Sequence, residues 1–492
     1  MASIAFFGIF GVATALCAVS APAQDTALHA QVERRIVEIT DAALVRHGIP
    51  GAVVGVRIGG AGTWLVARGK ADLDAGRDAE ATDPIRIGSV TKSFTAVAAL
   101  QLADRGLLDL DDALDRFDAG AKVPHAAEIT VRMLLNHTSG IFDYANDEVF
   151  EEDFATKPDK TWTPEELVDI AVSHGPDFPP GARWAYSNTN YILLGMIAEE
   201  VSGEFIGDLI RENIVEPLGL ACTVWPDGPT MEDPCLHGYW DPGCTGVLKD
   251  CSRYEPTAEF GAGAMISCVE DLLVWAKAFA EGALLGESVR REQRTLVDAG
   301  GGGRWGLGVS FVHGFYGHGG NIRGYDISMY HLPSRDASFA ILLNRQVGWE
   351  ECSAPVVVSA SIFKEIAAEL VKASSLLQLD LNGREAAVGD TVSVLATAAH
   401  LVPPFDAYCV VEDPAGTLFS LGPGGAVMPG VSPFARGVPF VSDPVTVELF
   451  RDPIPPGLRL GRYRVTLGIC DPGARPSLDS AREYRQDLIA IR

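Results

Sequence analysis

The stretch GSVTKSFTAVAALQLADRG, residues 88–106, sets how the rest of the chain is read. Lys92 follows Ser89 by three residues, so one helical turn puts both side chains on the same face. The surrounding residues are apolar, and an ordinary amphipathic helix has no use for a lysine on that side. The spacing predicts a helix over residues 89–105, with Gly106 at the position just past its end. At its head, backbone N–H groups and the positive end of the helix dipole would favour an oxyanion formed when Ser89 attacks a carbonyl. Serine is a weak nucleophile until a neighbour takes its proton, and a lysine whose pKa is lowered by burial can do so. The plainer alternative is a capping serine beside a snorkelling lysine, and Ser-x-x-Lys alone does not choose between them.

Two further runs do. PGARWAYSNTNYILLGMIAEEVSG sets Tyr186-Ser187-Asn188 on a loop before a helix reaching about Val201. In an extended loop Tyr186 and Asn188 face the same way. A phenol can relay a proton, and an amide can hold a substrate carbonyl. FYGHGGNIRGYDISMY sets His318-Gly319-Gly320 on a strand, where glycines let a substrate lie along the edge and His318 offers a cationic or donor position beside Tyr186. The order Ser-x-x-Lys, Tyr-x-Asn, His-Gly-Gly is far more specific than any one of its parts.

Working outward, residues 28–46 read as a helix. AVVGVRIGGAGTWLVARGKAD and DISMYHLPSRDASFAILLNR read as hairpins, the second turning at Pro333 to Asp336, and residues 354–371 as a closing helix. Strands at both ends of a helical middle predict an antiparallel sheet flanked by helices plus an all-helical lobe, with the site in the cleft between them. From about residue 378 the texture changes to short alternating runs separated by Pro/Gly clusters, which predicts a small all-β sandwich or barrel. The expected organisation is an α+β catalytic domain over 24–375 and a β domain over 376–492.

The net charge of -26 repels nucleic acid and anionic membrane surfaces. Residues 1–23 carry no charge and end in Ala21-Pro22-Ala23, so a cleaved leader and export to the periplasm or medium are expected, with no stable membrane insertion afterwards. Eight cysteines follow the leader, an even number that favours disulfides in an exported chain. Cys409 and Cys470 lie in the same small domain and are candidates for one. The run from Cys222 to Cys251, with His237, matches no common zinc spacing, so no metal is expected.

With these motifs in place, residues 30–370 resemble the serine β-lactamase and penicillin-binding protein superfamily, class C branch, and most of all its soluble D-alanyl-D-alanine carboxypeptidases. IRIGSVTKSFTAVAALQLADRGLLDLDD, ITVRMLLNHTSGIFDYAND and GAGAMISCVEDLLVWAKAF carry the resemblance beyond the three motifs. It implies a two-lobe β-lactamase-like fold and an acyl-serine mechanism without a cofactor. By motif, Ser89 would be the nucleophile, Lys92 its proton partner and Tyr186 the general acid/base. Asn188 would bind the substrate amide, and His318 would fill the third motif's basic position beside Gly319 and Gly320. The backbone N–H groups of Ser89 and Asn321 would form the oxyanion hole, and His137 would be structural. Expected substrates are small peptides, amides or esters, including peptidoglycan stem peptides and β-lactams.

Two departures bear on substrate. The carboxypeptidases carry His-Thr-Gly in the third motif and an arginine shortly before it. Here Gly319 replaces the threonine, no arginine lies between Trp305 and His318, and Arg323 is the substitute at hand. His-Gly-Gly also occurs in relatives that act as D-aminopeptidases, D-amino-acid amidases and esterases. A carboxypeptidase is the leading expectation, with that group as the alternative. A β-lactamase or a non-catalytic penicillin-recognition protein stands behind both.

Overall fold

The run GAVVGVRI has no polar face, so its strand must be covered on both sides. In the computed structural model this run is β1 (Gly51–Ile58), near the middle of the main sheet. The structure describes residues 23–374 except 242–244, 301–302, 313 and 348–356, and beyond residue 375 a set of strands. Residues 1–22, which hold nearly all of the expected leader, lie outside the described residues.

The sheet continues with β2 (Gly62–Asp72), β3 (Arg77–Asp78), β4 (Val297–Gly300), β5 (Gly303–Trp305), β6 (Ser310–Val312), β7 (Phe315–Ile322), β8 (Tyr325–Leu332) and β9 (Ala337–Leu343). Its nine strands run in the order β3-β2-β1-β9-β8-β7-β6-β5-β4. Both expected hairpins form: Gly55 faces Leu65 across the first, and the second turns through Pro333–Arg335 with Asp336 at φ +46°. β1 and β9 pair antiparallel, with Val54 opposite Ile341, and so join the two ends of the catalytic region.

Helices α1 (Ala23–His47), α2 (Thr91–Asp104), α3 (Thr189–Ser202), α4 (Val269–Glu281) and α5 (Val358–Ser374) cover the sheet and fill the second lobe. The period-2 alternation divides β1 between two cores. Val53 joins Ile327, Phe94, Tyr191 and Trp275 in the larger one, while Val54 and Val56 join Ile36, Ile341, Ile362 and Phe363 beneath α1 and α5. Gly55 lets α4 come close, since a Cβ there would lie 2.5 Å from Val269 Cγ2.

Three expected helix starts move: α1 begins at Ala23, five residues earlier than the sequence predicts. α5 begins at Val358, four residues later than the sequence predicts. The turn Gly88–Val90 is a single 3₁₀ turn, and α2 begins only at Thr91. Gly88 takes φ +50° there, with a Cβ position 3.2 Å from Ile322, so the tight turn is imposed by β7.

Past residue 375 all described elements are strands. They form a three-stranded sheet (Leu376–Leu381, Thr391–Ala399, Val445–Pro453) and a seven-stranded one that includes Phe405–Glu412, Gly461–Cys470 and Ala481–Ile491. The suggested Cys409–Cys470 bridge does not fit this register. Cys409 lies opposite Leu467 and Cys470 opposite Asp406. Three positions of ladder separate them by about 10 Å, beyond disulfide reach.

Cys222, Cys235, Cys251 and Cys268 are free thiols, while Cys244 and Cys352 lie outside the described residues. The Gly/Pro-rich run does not gather its thiols at one point. Cys222 meets Cys268 and Asp271, whereas Cys235 meets Asp233 and His237. Among the described residues no helix is long and apolar enough to cross a membrane.

Trp275 ties α4 to the Gly88–Val90 turn. Its ring stacks on Phe94 at 4.3 Å, and its Nε1 donates to Ser93 Oγ, which in turn donates to the Val90 carbonyl. Trp275→Ala should therefore cost about 3–5 kcal/mol. Trp275→Phe, which keeps most of the ring and loses the hydrogen bond, should cost nearer 1–2 kcal/mol. Urea unfolding of the two variants checks the order.

Candidate active site

Burying an ammonium is costly unless each of its protons finds an acceptor. Lys92 is fully buried on the first turn of α2, and all three of its protons are placed. Nζ donates to Ser89 Oγ at 3.0 Å, Asn188 Oδ1 at 2.6 Å and the Ala262 carbonyl at 2.7 Å. Ser89 therefore does not cap the helix. Its hydroxyl faces the lysine, and no side chain caps α2 at Val90.

Burial pulls the Lys92 pKa below its ordinary 10.5, against the opposing pull of Glu259 and Asp143. Burial pushes Tyr186 well above 10, opposed by the nearby Ser89 hydroxyl. The two groups are thus driven in opposite directions: lysine towards the free amine, tyrosine towards the neutral phenol. Lys92 Nζ lies 5.1 Å from the centre of the Tyr186 ring.

Asn188, expected at the substrate amide, has its oxygen on Lys92, and its Nδ2 donates to Asp143 Oδ2 at 2.9 Å. Its placement is that of a positioning residue for the lysine. Asp143 in turn receives the Ala145 N–H, and burial raises its carboxyl.

His137 has φ +60° and is buried among Tyr186, Tyr191, Trp184 and Trp305, its ring 4.4 Å from that of Tyr186. Its Nδ1 accepts the Ser187 N–H, which fixes the Tyr186-Ser187-Asn188 loop.

His318 differs from the expected cation. Burial first, and then Lys92, hold its pKa down at about 3, so it is neutral. Its Nδ1 lies 2.5 Å from the Gly319 carbonyl, which makes Nδ1 the protonated nitrogen and leaves Nε2 an acceptor without a described partner. Trp305 packs edge-on against the ring at 5.2 Å.

The two glycines of that motif are not equivalent. A Cβ on Gly320 would lie 2.1 Å from the Ile87 carbonyl, so only glycine lets β7 lie against the Gly88–Val90 turn. A Cβ on Gly319 would meet nothing nearer than 3.7 Å, so the missing side chain there is not a packing requirement. The same approach sets the Asn321 backbone N 3.5 Å from the Cβ position of Gly88, beside Ser89, where the two expected oxyanion donors can converge. The Asn321 side chain turns away and accepts from Gln346.

Arg323 lies over Trp240 at 4.3 Å and over Phe154 at 5.1 Å, and its Nη1 has no hydrogen-bond partner. Its guanidinium is held by aromatic faces at the end of β7.

A model of the beta-lactamase family matches residues 29–359, which takes in every residue of this site. The chain belongs to the beta-lactamase family. It is similar to a D-stereospecific amidohydrolase from a Streptomyces species, with 34% identity and a TM-score of 0.59 over 64% of this chain and 94% of that one. It is also similar to the D-amino acid amidase of Ochrobactrum anthropi SV3, with 27% identity and a TM-score of 0.62 over 69% and 99%. Penicillin-binding protein 4* of Bacillus subtilis is 33% identical over 154 residues, 31% of this chain and 33% of the relative. The chain thus matches about a third of that relative's length. The scaffold is that of a serine hydrolase.

Asp143 and Glu259 are the site residues that sequence reasoning missed. Neither stands at a fixed spacing from Ser89 or Lys92, and only folding brings them to the lysine.

The glycine contrast is directly testable. Gly319→Thr should keep the melting temperature within a few degrees, whereas Gly320→Ala should lower it by roughly 5 °C or more through the clash with Ile87. Thermal unfolding of both, followed by circular dichroism, checks this.

Proposed function

We propose that this family member hydrolyses amides, short peptides and esters of D-amino acids through an acyl-serine intermediate. The carrying observation is the third motif, which offers no fixed cation or hydroxyl for a C-terminal carboxylate. His318 is neutral, Gly319 has no side chain, and Arg323 is packed between aromatic rings. The D-stereospecific amidohydrolase and the D-amino acid amidase among its relatives support the same reading.

The chemistry follows from the two opposed pKa shifts. A neutral Lys92 accepts the Ser89 proton as Oγ bonds to the carbonyl carbon. Negative charge moves to the carbonyl oxygen, where the N–H groups of Ser89 and Asn321 receive it. The phenol of Tyr186 gives its proton to the departing amine or alkoxide as the bond to the acyl carbon breaks, and it regains one from Lys92. Water then attacks the ester, the same groups carry protons in reverse, and the D-amino acid leaves with Ser89 restored. Asn188 and Asp143 hold the lysine in place throughout.

A second reading, a D-alanyl-D-alanine carboxypeptidase, draws on the identity to penicillin-binding protein 4*. Export, inferred from the apolar leader-like run, is part of either reading, and N-terminal sequencing of the mature protein tests it.

Steady-state rates on D-phenylalanine amide, L-phenylalanine amide and diacetyl-L-lysyl-D-alanyl-D-alanine separate the two readings. The first should be the best substrate and the L-amide poor. A tripeptide turned over faster than the D-amide would establish the carboxypeptidase.

A pH profile tests the proton roles. kcat/KM should rise with pH along a limb below the ordinary lysine range, as Lys92 loses its proton. His318 and His137 should contribute no limb near 6.5, because both remain neutral throughout that range, and a rising limb near 7 belongs to Glu259, whose carboxyl burial raises to about 7. A histidine-like limb retained in His318→Asn would place the titrating group elsewhere.

A further inference from the structure

Two carboxylates share the pocket with Lys92, and their situations differ. Asp143 is committed, with one oxygen on the Asn188 amide and the other on the Ala145 N–H. Glu259 stands immediately before the short helix Phe260–Gly263, whose Ala262 carbonyl holds Lys92. Its side chain folds along that turn, with Oε2 2.6 Å from the Cβ position of Gly263. It is partly buried, and its carboxylate makes no hydrogen bond or ion pair to any described residue.

Neither nearby cation closes on it. The three protons of Lys92 go to Ser89, Asn188 and Ala262, and the Arg323 guanidinium lies on Trp240 and Phe154. Yet Glu259 lies within the field of Lys92, Asp143 and Arg323, and its charge also reaches Tyr186. Burial raises its carboxyl and Lys92 opposes that shift, so a further positive charge alongside would hold it ionised.

A partly buried carboxylate with no cation on it repels an anionic substrate group and is stabilised by a cationic one. The α-nitrogen of an amino acid lies two bonds from its carbonyl carbon, at about 2.5 Å. A carbonyl poised over Ser89 therefore carries its α-ammonium into the region around the lysine pocket. We infer that Glu259 is the binding site for the free α-ammonium group of the substrate, so that the enzyme acts on D-aminoacyl amides, esters and peptides with an unblocked amino terminus. The inference rests on the D-aminoacyl reading above and narrows it, because N-acylated substrates are excluded.

The test compares D-alanine p-nitroanilide with its D-lactic acid analogue, in which a hydroxyl replaces the ammonium, for the wild type, Glu259→Gln and Glu259→Asp. The preference for the ammonium substrate, taken as a ratio of kcat/KM values, cancels any effect transmitted through Lys92. It should fall roughly 30- to 100-fold in Glu259→Gln and recover in part in Glu259→Asp. An unchanged ratio, with both rates lowered together, would show that the carboxylate acts only through the lysine and would overturn the inference.

Inhibition of p-nitrophenyl acetate hydrolysis by D-alaninol, which carries the ammonium but no carbonyl, reads the same site without turnover of an amide. D-alaninol should inhibit the wild type competitively, and its inhibition constant should rise by a similar factor in Glu259→Gln. Equal inhibition of both proteins, or of neither, would again overturn the inference. If the anilide is not cleaved but the D-alaninol effect depends on Glu259, the ammonium site stands and the D-aminoacyl substrate reading fails.

Discussion

A buried ammonium organises this catalytic domain. Lys92 is fully buried on α2, whose apolar residues belong to the larger core, and an uncompensated charge there would be severely destabilising. Its three acceptors come from three distant parts of the chain: the turn Gly88–Val90, the loop before α3, and the helical turn before β-strand residues Ile266–Ser267. Satisfying the lysine thus fixes the relative placement of Ser89, Asn188 and Ala262. The same burial that demands these partners lowers the lysine pKa, so one constraint both fixes these contacts and shifts the lysine towards the free amine.

The oxyanion side depends on a second close approach, between backbones. Gly320 has no room for a side chain against Ile87, and Gly88 adopts a positive φ against Ile322. Together they bring β7 to the Gly88–Val90 turn, with the Asn321 N–H near Ser89. Gly319, between His318 and Gly320, is free of such pressure, so its lack of a side chain is not a folding requirement. That difference turns the reading away from a carboxylate-bearing substrate.

Much of this is legible in the chain. The alternation in GAVVGVRI and DISMYHL and the turn residues around Gly60 and Pro333 give both hairpins, because strand pairing within a hairpin is local. The adjacency of β1 and β9 spans nearly three hundred residues and leaves no local mark. Ser89 and Lys92 are readable because one helical turn links them, and Tyr186 and Asn188 because they share a short loop. The neutral state of His318 depends on its burial and on the charge of Lys92, neither of which a motif encodes. Asp143 and Glu259 sit in stretches with no spacing relation to the lysine. The 3₁₀ turn under Ser89 is likewise dictated by β7, a tertiary contact that overrides the helix expected from residue 89.

The central claim is that Ser89, with Lys92 taking its proton, carries the acyl group. Rapid acid quenching during turnover of D-phenylalanine methyl ester, followed by intact-mass measurement and peptide mapping, tests it most directly. A D-phenylalanyl adduct on the Ser89 peptide, absent in Ser89→Ala and formed far more slowly in Lys92→Ala, is the predicted result. Full turnover by Ser89→Ala, or an adduct mapped to another residue, would contradict the account.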